Sequence, residues 1–156
     1  MPEFKIIEVE QTPYFYAERS TSRDQDEVGP AMGAAFQEVW AFMQAAGIAP
    51  TGGALSVTYS YDPDRVDFRA GFTVARDDMA RASGPVKADV TPAGRVVHGT
   101  HKGPYSGIRQ SYGAMHAVAQ KAGVPFTAPT WKVYLNGPDE VPEEDLLTDL
   151  YQALAD

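Results

Sequence analysis

Residues 29–47 read GPAMGAAFQEVWAFMQAAG, and residues 105–123 read YSGIRQSYGAMHAVAQKAG. In the first stretch Met32, Phe36, Val39, Trp40 and Met43 recur at i, i+4, i+7, i+8 and i+11, the spacing of one helical face. Gly47 follows and suits the left-handed conformation that ends helices. In the second stretch Ile108, Tyr112, Met115 and Ala119 form a comparable face, closed by Gly123. Phe36, Trp40, Gly47 and Leu55 correspond to Tyr112, His116, Gly123 and Trp131 at one constant offset of 76 residues. Thr12-Pro13 is likewise matched by Thr91-Pro92, with a three-residue difference in the loop between. The chain therefore reads as one supersecondary unit used twice.

Each copy reads as strand, strand, helix, strand, strand. Phe4 to Val9 and Tyr14 to Arg19 are short, β-favouring runs broken at Thr12-Pro13. Proline cannot donate to a ladder, so Pro13 belongs at a strand start or edge. After the helix, Leu55 to Tyr61 and Val66 to Val74 alternate in polarity around a turn at Asp62-Pro63-Asp64. In the second copy the strands are Val86 to Val90, Gly94 to His101, Trp131 to Asn136 and Leu146 to Leu154. Pro142-Glu143-Glu144 starts a strand or a single helical turn. Asp77 to Pro85 marks the seam. The expectation is an α+β fold of two pseudo-symmetric β-β-α-β-β repeats, about 1–76 and 84–156, within one domain, 1–156. Each antiparallel sheet has one helix on it, and a central cavity lies between the repeats.

Composition bounds the function. The 156 residues, 44% hydrophobic, suffice for one buried core without a staple. The absence of cysteine excludes thiol catalysis, disulfides and Cys-ligated zinc. The start, Met1-Pro2-Glu3-Phe4-Lys5, has no basic stretch leading into an apolar run, and no window resembles a membrane span. A cytoplasmic protein without membrane contact is expected. A formal net charge of -8 opposes general nucleic-acid binding. No phosphate-binding glycine loop, dinucleotide fingerprint, zinc-protease helix or nucleophile elbow is present. His98 and His101, three apart on a strand, point to opposite faces, and His116 takes the slot matched by Trp40. These three make no metal site, and no cofactor is expected.

What stands out is aromatic residues on strands. Tyr14 and Tyr16 share a face with Glu18, and Tyr59, Tyr61, Phe68, Phe72, Trp131, Tyr134 and Tyr151 lie on later strands. Lys132 and Tyr134 share one face of their strand, opposite Trp131 and Val133. For any single ring, cross-strand packing accounts for its place. Eight tyrosines in a small domain nevertheless carry many hydroxyls that need partners, and an aromatic-walled pocket would use them.

Gly103-Pro104-Tyr105 before a helix, Trp131-Lys132-Val133-Tyr134-Leu135-Asn136-Gly137-Pro138, and the closing Thr148-Asp149-Leu150-Tyr151 together resemble the GyrI-like family, also called AraC-type effector-binding domains. The resemblance spans nearly the whole chain. It implies binding of small, often cationic or amphipathic molecules in a cavity between the repeats, as in the sensor halves of multidrug-responsive regulators. Some branches hydrolyse reactive small molecules. The chain leaves no room for a helix-turn-helix, so a free-standing ligand sensor without direct DNA binding is expected, and a homodimer stays compatible with it. In the family the strand reads Trp-Glu-x-Tyr, its Glu reaching into the cavity; here that slot is Lys132. An inward lysine would disfavour cations and pair with Glu18 or an anionic ligand, whereas one at the rim would extend to water. The ligand-binding set is Tyr14, Tyr16, Glu18, Phe72, Trp131, Lys132, Tyr134 and Tyr151. Binding ranks first. Hydrolysis ranks second, with Tyr134 or Tyr151 as acid and Glu18 as base, and a protein-binding inhibitor ranks third.

Overall fold

The computed structural model describes residues 3–22, 24–61 and 64–155, so the Asp62-Pro63 part of the predicted turn lies outside the described residues. In chain order the strands and helices are β1 (Lys5–Val9), β2 (Pro13–Ser22), α1 (Gln25–Ala46), β3 (Ala54–Tyr61), β4 (Arg65–Thr73), β5 (Lys87–Val90), β6 (Gly94–Lys102), α2 (Ile108–Ala122), β7 (Phe126–Tyr134) and β8 (Leu147–Leu154). Short 3-10 helices occupy Arg76–Arg81, Tyr105–Gly107 and Glu143–Asp145. The fold is mixed α+β with antiparallel ladders. No helix among the described residues is long and apolar enough to cross a membrane. The chain groups into two compact units, Gln11–Thr91 and Met1–Glu10 with Pro92–Asp156.

In the Gln11–Thr91 unit the strands run β3-β4-β2-β5. Phe15 stands opposite Phe72, and Ala17 opposite Ala70, across the β2–β4 ladder. These residues point toward α1, where Phe15, Ala17, Ala35, Val39, Met43 and Ala70 form a core with Ile48, Val74 and Val86. Each large aliphatic or aromatic side chain so buried contributes about 1.5–3 kcal/mol relative to exposure. The alternate residues Tyr14, Tyr16 and Glu18 of β2, and Thr73, Gly71 and Arg69 of β4, therefore share the face turned away from α1. At Gly71 any side chain would run into the Phe15 carbonyl, so glycine is what lets the two strands approach.

α1 begins four residues before the start suggested by Gly29-Pro30. The Asp24 carboxylate accepts from the Asp26 backbone N–H at 2.9 Å and so caps the first turn. Asp26 and Glu27 add charge that suits a helix N-terminus. Pro30, early in the helix, removes a single donor. At the other end Gly47 has φ 70°, and Ile48 N–H returns to the Met43 carbonyl at 2.9 Å.

In the other unit the order is β1-β6-β8-β7. Val97, Leu150 and Leu154 pack with Phe4 against Ile108, Met115 and Ala119 of α2. The Phe4 ring occupies the space a side chain at Gly99 would take, which ties the segment before β1 to β6. β7 starts at Phe126, five residues before the predicted start. A register shift between Phe126 and Thr130 accommodates Pro129, which has no donor for the ladder. Asn136 lies past the end of β7, where its side chain accepts from Leu147 N–H at 2.9 Å and donates to the Asp145 carbonyl at 3.2 Å.

Candidate functional site

The helix-free face of the β1-β6-β8-β7 sheet carries an aromatic row. His98 stands opposite Tyr151 on β8, and Tyr151 opposite Trp131 on β7, so the register alone lines up three rings. Trp131 and Tyr151 lie 5.0 Å apart with planes 5° from parallel, and His98 stacks on Tyr151 at 4.6 Å and 29°. These separations follow the spacing of neighbouring strands. Trp131 is buried, and Tyr151 and His98 are partly exposed.

Beside the row stands Asp149. Thr100 Oγ1 donates to its Oδ1 at 2.6 Å, and His98 Nε2 lies 3.2 Å from the same oxygen. The imidazole nitrogen satisfies the distance of an ion pair yet has no well-aligned hydrogen bond. The contact is therefore electrostatic more than directional. Burial works against ionisation of Asp149, but the contacts from His98 and Thr100 outweigh it and hold the carboxyl below its ordinary range. The Tyr151 phenol is pushed up, first by burial and then by the nearby Asp149 charge, so it stays protonated.

A second cluster occupies the helix-free face of the β3-β4-β2-β5 sheet. Arg69 Nη1 donates to Asp89 Oδ2 at 2.6 Å and to the Tyr14 hydroxyl at 3.0 Å. Its guanidinium carbon lies 4.2 Å from the centre of the Tyr16 ring and 4.5 Å from that of Tyr59. Tyr59 falls at the register shift between Thr58 and Ser60. Burial alone would lower the Arg69 pKa, but its bonds to Asp89 and Tyr14 raise it, so the charge is secure. The buried Tyr14 phenol is pushed well up by desolvation, with Arg69 opposing, and Tyr16 is raised by the same cause.

The residues expected to bind ligand divide among these surroundings. Tyr14 and Tyr16 meet at 5.5 Å within the arginine cluster. Glu18 is exposed, 3.9 Å from Lys87. Phe72 goes to the other face, where its ring packs on Phe36 at 5.9 Å and Trp40 at 5.5 Å. It is paired with Phe15, so the pleat turns it toward α1 and away from the tyrosines. Trp131 and Tyr151 come together, whereas Lys132 stands opposite Leu150 and Tyr134 opposite Thr148, on the face that bears α2. Tyr134 and Tyr151 thus lie on opposite faces of one sheet. Tyr134 meets Tyr105 edge-on at 5.7 Å.

The Gly103-Pro104-Tyr105 turn is held from beneath by buried His101. Its Nε2 lies 2.9 Å from the Pro104 carbonyl, which only accepts, so this nitrogen carries the proton and donates. In that tautomer the Ser111 hydroxyl, at 2.7 Å, donates to Nδ1. Arg69, Asp89 and Asp149 are absent from the set expected on sequence, and His98 enters there only in a metal site that the sequence argues against. Alternation places Arg69 on the face opposite Phe68 and Ala70, but only the β2–β4 register shows that it meets the tyrosines.

The GyrI-like small molecule binding domain matches residues 2–155. Among solved structures, the EcmrR C-terminal domain has a TM-score of 0.80 at 18% identity, covering 99% of this chain and 98% of that one. The EcmrR chain in an EcmrR–DNA complex, TM-score 0.78 at 16% identity, is matched over 98% of this chain and 57% of its own length. SAV2435 bound to tetraphenylphosphonium has a TM-score of 0.66 at 10% identity, with 98% and 94% covered. A hydrolase from Listeria innocua has a TM-score of 0.66 at 16% identity, with 98% and 92% covered. No protein of curated function matches the sequence. At these identities the solved structures bear on the fold alone.

Proposed function

Since the chain belongs to the GyrI-like small molecule binding domain family, we propose that it binds a small aromatic or amphipathic molecule against the Trp131–Tyr151–His98 row. The observation that carries this reading is the near-parallel Trp131 and Tyr151 pair, 5.0 Å and 5° apart, on a sheet face turned away from α2. Stacked on one another, the three rings turn their edges outward, and ring edges attract the faces of aromatic ligands through dispersion and quadrupole contacts. The neighbouring Asp149, held ionised by Thr100 and His98, adds a fixed negative charge. It favours a ligand with positive or neutral character over an anion. Tetraphenylphosphonium, the compound bound by SAV2435, is an aromatic cation of this kind.

On this reading Lys132 stands outside the site, since it occupies the opposite face of β7. The carboxylate that meets the ligand is then Asp149, two residues before Tyr151 on the same face of β8.

The test is a fluorescence titration. Trp131 and Trp40 emission would be followed while tetraphenylphosphonium, a neutral analogue such as triphenylmethanol, and an anionic analogue such as tetraphenylborate are added. The wild type is expected to show saturable binding, tightest for the cation. Tyr151→Leu removes the central ring and is expected to weaken binding about tenfold, in line with an edge-to-face aromatic contribution of ~1.4 kcal/mol. Saturable binding by none of the three compounds, or equal affinity in Tyr151→Leu, would overturn the proposal.

A further inference from the structure

The Arg69 cluster has a chemistry of its own. A guanidinium can grip a planar acceptor along two edges: the end formed by both Nη atoms, or the side formed by Nε and Nη2. Here Nη1 already donates to Asp89 and Tyr14. Among the described residues no hydrogen bond engages Nε or Nη2, which leaves them for a partner from outside the cluster. Tyr16 and Tyr59 lie against the guanidinium, 4.2 and 4.5 Å from its carbon to their ring centres. Its orientation is therefore fixed by four groups: two rings, a carboxylate and a phenol. A partner for the Nε–Nη2 side must approach in the guanidinium plane.

We propose that Arg69 forms a recognition site for a planar carboxylate borne on an aromatic or apolar body. Two parallel N–H donors match the two oxygens of a carboxylate. The walls of the slot are aromatic rings, and Tyr59, 41% exposed, offers the apolar body a surface to lie against. A tetrahedral oxyanion fits the flat slot less well. Two ion pairs lie at this cluster, Arg69 with Asp89 at 2.6 Å and Lys87 with Glu18 at 3.9 Å. Together they cancel, so an incoming anion meets no net repulsion from these neighbours. Arg69 already shares one anion, and Asp89 sets an upper limit on how tightly a second is held. None of its residues belongs to the Trp131 row. Failure of either reading leaves the other standing.

The experiment uses 1-naphthoate as probe and 1-naphthamide as its neutral counterpart. In wild-type protein the Nε–H resonance of Arg69 would be followed by 15N NMR during titration with each. A saturable shift with naphthoate and none with naphthamide is expected. Arg69→Lys keeps the charge but loses the fork, and is expected to weaken naphthoate at least ~10-fold, given the strength of bidentate charge-assisted pairs. Asp89→Asn removes the competing anion and is expected to tighten naphthoate several-fold. An Arg69 resonance that does not move at high naphthoate, equal binding of naphthamide, or an Arg69→Lys affinity within about twofold of wild type would each overturn the proposal. The wild-type resonance decides the matter even if a variant folds poorly.

Discussion

Asp149 shows how one side chain can be costly and useful together. Its partial burial penalises its charge, yet Thr100 and His98 both face its Oδ1, and the net effect lowers its pKa from 3.8. A carboxyl whose folded-state pKa is depressed adds stability above its unfolded value and loses it as pH falls through the folded value. Asp149→Asn is therefore expected to be less stable than wild type at pH 7, with the difference shrinking toward pH 3. Urea unfolding of both proteins at the two pH values checks this, and a constant difference would contradict it. Arg69 does not stand out in the sequence, and Asp149 enters only as part of the closing Thr148-Asp149-Leu150-Tyr151 motif, with no role of its own. Their importance lies in partners 49 and 20 residues away, Thr100 and Asp89, which strand pairing brings near. The tyrosines stand out at once because aromatic residues announce themselves by type.

At the scale of elements, helices and strands follow their periodicities. The apolar stripe from Met32 to Met43 lies in α1, and the stripe from Ile108 to Ala119 lies in α2. Both end at glycines with left-handed φ, Gly47 at 70° and Gly123 at 73°. Boundaries are less legible. Gly29-Pro30 suggests a start, but Asp24 caps the helix earlier, because a side-chain oxygen that satisfies a free N–H outweighs the punctuation of proline. Asp24→Ala is expected to cost about 1 kcal/mol, measured by denaturant titration. A change under ~0.3 kcal/mol would show that water caps this helix equally well. The early start of β7 is hidden by Pro129, which argues against a strand until the register shift beside it is known. Alternation along β7 correctly separates Lys132 and Tyr134 from Trp131. What it cannot supply is the partner strand, and that partner puts Tyr151 with Trp131 and leaves Tyr134 with Tyr105.

For the whole molecule, the α+β class and the family are legible because patterning and short motifs run the length of the chain, and the family match covers residues 2–155. The candidate site is only half legible: its residue types are evident, but their grouping by sheet face depends on register. Three kinds of aromatic residue emerge. Trp131 and Tyr151 form the row proposed to meet the ligand, Tyr16 and Tyr59 hold Arg69, and Phe72 with Trp40 packs at α1. Trp40 and Phe126 are more exposed than Trp131, so surface stacking on them is the natural competitor. The most direct measurement is a set of intermolecular NOEs from bound tetraphenylphosphonium to assigned aromatic protons. Contacts to Trp131, Tyr151 and His98 are expected. Contacts confined to Trp40 and Phe126, with none to the row, would contradict the proposed site.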